Sequence, residues 1–137
     1  MKKQQIYSIL LVLMLVLLLP LISQIMSGPN MPFKNLKVDD VKEVELFLNP
    51  PNRKTVINDK DKIQGIVEVL NTVIIKEQKS SNVDYDSQLV SFMIIRASGE
   101  SEIIKVYSPY IIIDEKIYKS DYETCDILNL LGNDFLD

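Results

Sequence analysis

The apolar positions of this chain follow two different patterns. From Ile6 to Met26 there is no charged residue, and Leu, Val and Ile fill most positions between Ile9 and Ile22. As a helix that stretch is about 31 Å long at about 1.5 Å per residue, close to the hydrocarbon thickness of a bilayer. Pro20 falls near one end, where a kink is tolerated in a spanning helix. Lys2 and Lys3 precede the stretch, and positive flanks stay on the cytoplasmic side, so everything after it is expected outside the cytoplasm. A cleaved signal peptide opens in the same way. The candidate cuts around Ser27 and Gly28, however, leave Ile25 or Met26 where a small residue is wanted. No Cys follows to accept a lipid. The expected organisation is a signal-anchor helix over 1–27, a short breaker-rich tether over 28–32 and an extracytoplasmic domain over 33–137. Cleavage would instead release that domain as a secreted one.

Beyond the tether the period changes. Val41 to Asn49 alternates Val44, Leu46 and Leu48 with charged or mixed neighbours, the mark of a half-buried strand. Pro50 and Pro51 end it, since neither can donate to a ladder, and Arg53 to Ile57 reads as a second strand. Asn58 or Asp59 can cap a helix whose apolar residues, Ile63, Ile66, Val67, Leu70 and Val73 or Ile74, recur at the helical period. Ile74 to Gln78 predicts a third strand and Lys79 to Ser87 a polar loop. Gln88–Ala97 and Glu102–Tyr107 are β-branched-rich runs joined through Ser98-Gly99, a hairpin signal. Tyr110–Asp114 and Lys116–Lys119 form another pair about a tight acidic turn. A last helix starts at Asp121 or Thr124 and presents Cys125, Leu128, Leu131 and Phe135 on one face.

The resulting order, β-β-α-β-β-β-β-β-α, predicts an α+β domain: a mainly antiparallel sheet with two helices packed on one face. Ile94-Ile95 and Ile111-Ile112-Ile113 are too apolar for strands wetted on one side. They are therefore expected centrally, with both faces covered.

Composition narrows the chemistry. The chain has no His, which removes the commonest general base, nucleophile–His pairs and His-ligated metals. One Cys removes an intrachain disulfide and Cys-rich zinc sites, and four scattered Gly leave no phosphate-cradling loop. Of the 15 basic residues, Lys2 and Lys3 precede the apolar stretch, so the domain sets 13 against 19 acidic ones, a net of −6. It shows no basic stripe, so nucleic acid is not an expected partner.

Four groups remain. Asp84-Tyr85-Asp86 sits in the longest loop beside Ser80, Ser81, Asn82 and Ser87, but lacks the distal Glu of a calcium loop and reads as solvated. Asp39, Asp40, Glu43 and Glu45 read as a solvated acidic run near a strand start, with no spacing that singles out a catalytic pair. Cys125, on an apolar helix face, reads as a buried small hydrophobe. Tyr107, Tyr110, Tyr118 and Tyr122 cluster in the last third beside Pro109. Strand alternation sends about half of such a set into the core, and the rest would offer a binding surface.

Several local motifs carry a resemblance. Pro32-Phe33-Lys34-Asn35-Leu36 with Asp39-Asp40-Val41 opens the exported region, and Pro50-Pro51 precedes a capped helix. Tyr107-Ser108-Pro109-Tyr110 precedes Ile112-Ile113-Asp114, and Tyr118-Lys119 leads to Tyr122-Glu123-Thr124-Cys125. In these motifs residues 33–137 resemble a small uncharacterised extracytoplasmic domain of Gram-positive, chiefly clostridial, bacteria. That domain is found on single-pass or lipoprotein anchors and as the exported tail of β-lactam-sensor-type membrane metallopeptidases. This chain lacks both the acylated Cys of the lipoprotein forms and the HExxH helix of the peptidase forms, so no protease activity carries over. The resemblance implies location and fold and names no ligand.

The expectation is a membrane-tethered extracytoplasmic domain that binds or senses an envelope protein, a peptide or a glycan. It has no catalytic, cofactor-binding or metal-ligating residues, and Tyr107, Tyr110, Tyr118 and Tyr122 are its candidate binding surface. The alternative is a structural accessory subunit of a larger membrane complex.

Overall fold

Uncharged, Leu-rich sequence has no polar face to turn toward water, and the first element shows it. In the computed structural model, which describes residues 2–26, 30–79 and 87–136, helix α1 spans Lys2–Met26, and from Ile9 to Leu19 its side chains are apolar and exposed all round. Its apolar window, Lys3 to Pro20, is wholly exposed and long enough to cross a membrane. The chain divides into two units, Met1–Asn30 and Met31–Asp137.

The second unit is α+β, in the order expected from the sequence. Strands β1 (Val41–Asn49) and β2 (Arg53–Ile57) flank the Pro50-Pro51 turn, and helix α2 (Lys60–Asn71) follows. Asp59 caps that helix, its carboxylate accepting the Lys62 N–H at 3.0 Å. Then come β3 (Ile75–Lys79), β4 (Leu89–Arg96), β5 (Ser101–Tyr107), β6 (Tyr110–Ile113), β7 (Lys116–Ser120) and helix α3 (Tyr122–Asp134). The loop Asp84–Asp86 lies outside the described residues.

All seven strands form one antiparallel sheet in the order β2-β1-β4-β5-β6-β7-β3. Pattern reasoning finds hairpin neighbours, because tight turns enforce them. It does not reveal that β3 crosses over to the far edge beside β7, where Ile75 pairs with Ser120 and Lys79 with Ile117. Ser120 pins the crossover: its hydroxyl donates to the Ile74 carbonyl at 2.6 Å, and the residue is buried.

Both helices pack on one face. Ile63, Ile66, Val67 and Leu70 of α2 and Cys125 and Leu128 of α3 meet Leu46, Phe92, Ile104 and Ile111 of the sheet, all buried. Gly132 lets α3 lie close to β4, where any Cβ would come within 2.5 Å of the Val90 Cγ1. The chain enters the unit through Phe33 and Leu36, 2% and 7% exposed. Asn71 at the end of α2 holds them there, its Nδ2 donating to both of their carbonyls at 2.6 and 3.0 Å.

The expectation for the isoleucine runs needs one correction. β4 and β6 are interior strands on either side of β5, yet among the described residues both helices of the unit pack on only one of their faces. Ile111 and Ile113 point into the core, whereas Ile112, like Ile95, points to the other face and is half-buried.

Candidate functional site

Strand alternation decides what the uncovered face displays. With Leu46, Phe92 and Ile104 committed to the core, the odd-numbered residues of β1 from Glu43 on, and those of β4 and β5, turn outward, while Val41, before the register shift of β1, stays buried. The register aligns them in rows: Glu43 beside Ile95; Val56, Glu45, Met93 and Ile103; then Phe47, Ser91, Lys105, Ile112 and Ile117. A last row holds Leu89, Tyr107, Tyr110 and Lys119. Most of these apolar members are half-buried, and Val56 on the edge strand is 50% exposed. A sheet face meant for water alternates to polar residues here. This one keeps an apolar band across five strands, with charges at its corners.

Among the described residues, one pair of charges meets on this face. Lys54 on β2 pairs with Glu45 across the β1–β2 ladder. Glu43, Lys105 and Lys119 form no ion pair among the described residues. A shallow concavity of about 370 Å³ opens on this face, lined by Ile103, Lys105, Ile112, Asp114 and Glu115. Asp114 and Glu115 form its rim because both adopt left-handed backbone in the β6–β7 turn, with φ of 46° and 70°.

The tyrosines expected to form one surface divide three ways. Tyr107 and Tyr110 are direct cross-strand partners on the open face. Tyr118, opposite Ile111, points to the helix side and packs against the core. Tyr122 opens α3 and is 67% exposed. Alternation therefore leaves two of the four, Tyr107 and Tyr110, in the candidate surface. The larger part of it, Phe47, Met93, Ile95, Ile103 and Ile112, was missed by the sequence reading. The signal for it in the sequence is the adjacent isoleucines of β4 and β6, whose alternation puts Ile95 and Ile112 on the face away from the core.

The other groups do not converge. Asp39 pairs with Lys60 at 3.4 Å, and the Asp40 carboxylate accepts the Lys37 N–H at 3.1 Å, while Glu43 and Glu45 lie on the open face. Among the described residues no three of His, Cys, Asp or Glu gather as metal ligands would. Cys125 is fully buried, and that burial pushes its thiol up to about 11. Hydrogen bonds with Ser108 and Ser120 pull the other way, and the nearby Asp126 and Asp121 carboxylates add to the rise. A thiol so protonated is a poor nucleophile at neutral pH.

Comparison with known proteins returns no match, whether to a family model, a curated protein or a solved structure.

Proposed function

We propose that this chain is a membrane-tethered, extracytoplasmic binding domain without catalytic activity, and that its binding surface is the uncovered face of the sheet. The observation that carries this reading is the set of half-buried apolar side chains, Phe47, Met93, Ile95, Ile103, Ile112 and Ile117, that this face presents beside Ser91 and Lys105. Isolated soluble domains seldom leave more than a few hundred Å² of contiguous apolar surface in water. Aromatic residues rim the band at Tyr107 and Tyr110, as they do in protein-binding patches. Apolar side chains on a flat sheet face suit another protein better than a glycan, which asks for a groove of hydrogen-bonding groups. The α1 segment supports tethering by its length and composition. Lys2 and Lys3 support an inside N-terminus.

Two experiments test the reading. A membrane-impermeant protease added to intact protoplasts should digest residues 33–137, and full protection would overturn the extracytoplasmic placement. Crosslinking from the full chain in its native membrane should yield adducts through the open face, and the variant Ile112→Asp should abolish them. Adducts that survive Ile112→Asp but vanish when α1 is replaced by an unrelated spanning helix would favour an accessory subunit held through its membrane segment.

A further inference from the structure

Helix α3 turns apolar side chains toward water. Its buried residues Cys125, Leu128 and Gly132 share one side, and at about 100° per residue Leu130 falls opposite them. Leu130 is 65% exposed, Tyr122 67% and Ile127 41%. Besides Val56 on β2, no other large aliphatic or aromatic side chain described in the second unit is as exposed. Tyr122, Asp126, Leu130 and Asp134 stand four residues apart and form one ridge along the helix, and Glu123 with Ile127 begins the next. Ridges of this kind are what a helix offers to the grooves of a second helix.

The same face carries charge of one sign. Helix α3 contains no Lys or Arg. Bases from other elements serve only its ends. Lys76 pairs with Asp121, just before the helix, at 2.6 Å. The Arg53 guanidinium donates to the Leu136 carbonyl, just after it, at 3.2 Å. Between those ends Glu123, Asp126 and Asp134 form no ion pair among the described residues. Asp134 stands in the last turn, where the helix dipole disfavours an acid and favours a cation.

That single sign decides among occupants. A second α3 laid on this one would meet it acid to acid, and an anionic lipid surface would be repelled in the same way. A helix whose apolar row is bordered by Lys or Arg answers both features together. We propose that the outer face of α3 docks a basic amphipathic helix of another protein. Leu130 and Ile127 meet its apolar row, and Glu123, Asp126 and Asp134 pair with its cations. The contact lies on the helix layer and does not rest on the reading of the open sheet face.

The test uses the full chain in its native membrane, with the photo-crosslinking residue p-benzoylphenylalanine in place of Leu130. The same residue in place of Glu68, on exposed α2, is the collision control. Irradiation should give an adduct about tenfold above that control. Mass spectrometry should place the link in a partner segment whose apolar residues recur about every three to four positions beside Lys or Arg. Glu123→Lys and Asp126→Lys, both at exposed positions, should each cut the yield about fivefold. Asp126→Glu, which keeps the charge, should leave it unchanged, and so should Ile112→Asp on the open sheet face. An adduct to a second copy of this chain, to lipid or to a segment without basic residues would overturn the proposal. So would a yield no higher than the control, or one that survives both charge reversals.

Discussion

Adding one methyl group to Gly132 should have the opposite effect from adding it to Gly65. Each glycine sits inside a helix, where Ala is favoured over Gly by about 1 kcal/mol through backbone entropy. At Gly65 in α2 nothing lies within 4 Å of the position a Cβ would take, so Gly65→Ala should realise the whole gain, about 1 kcal/mol. At Gly132 in α3 the new Cβ would stand 2.5 Å from the Cγ1 of Val90, with Leu46 Cδ1 at 3.6 Å. Val90 is fully buried, and its β-branched side chain is stiff at χ1, so it cannot swing aside freely. The helix must retreat by roughly 1 Å, and overpacking of this kind costs about 1–3 kcal/mol. Subtracting the propensity gain leaves a net loss of about 1 kcal/mol at Gly132, about 2 kcal/mol away from Gly65→Ala. Urea unfolding of the full chain in a mild detergent, followed by tyrosine fluorescence, resolves such a difference. Val90→Ala combined with Gly132→Ala should cost less than the sum of the two singles, because the smaller side chain makes room. A Gly132→Ala variant as stabilised as Gly65→Ala would refute the close approach of α3 to β4.

The neighbouring isoleucines of β6 should separate the two faces. Ile111→Ala, at a fully buried position, should cost about 2–5 kcal/mol, and Ile112→Ala on the open face under about 1 kcal/mol in the same urea melts. Asn71→Ala removes both donors that hold the entering chain and should cost about 1–3 kcal/mol, with faster amide exchange confined to residues 33–37. For Cys125 the folded thiol is raised to about 11 from an ordinary value of 9.0, so the folded state holds the proton more tightly. Its contribution is fully present below pH 9 and is lost as pH rises through 11, about 3 kcal/mol in all. Cys125→Ala should flatten that part of a stability profile measured between pH 8 and 11.

Local pattern was enough to locate nearly every element. The alternation of Val44, Leu46 and Leu48 delimits β1, and the Asp59 cap with Ile63, Ile66, Val67 and Leu70 delimits α2. Hairpin partners could be named because short turns leave a strand no other neighbour. Near-range periodicity and capping are properties of adjacent residues, so they are written in the chain itself. The placement of β3 is not of that kind. Its docking beside β7 depends on how the α2 crossover is accommodated over the whole sheet, and the decisive contact, Ser120 to Ile74, joins residues 46 positions apart. The meaning of the isoleucine runs was likewise a tertiary matter. Ile112 is as apolar as Ile111, and period two states only that they face opposite ways. Whether the second face is covered depends on how many helices the chain has left to cover it, and α2 and α3 both pack on the side of Ile111. The same partition brings Tyr107 and Tyr110 to the open face, sends Tyr118 to the core and leaves Tyr122 on a helix. Residue type cannot distinguish these fates, because burial is a property of the assembled layers.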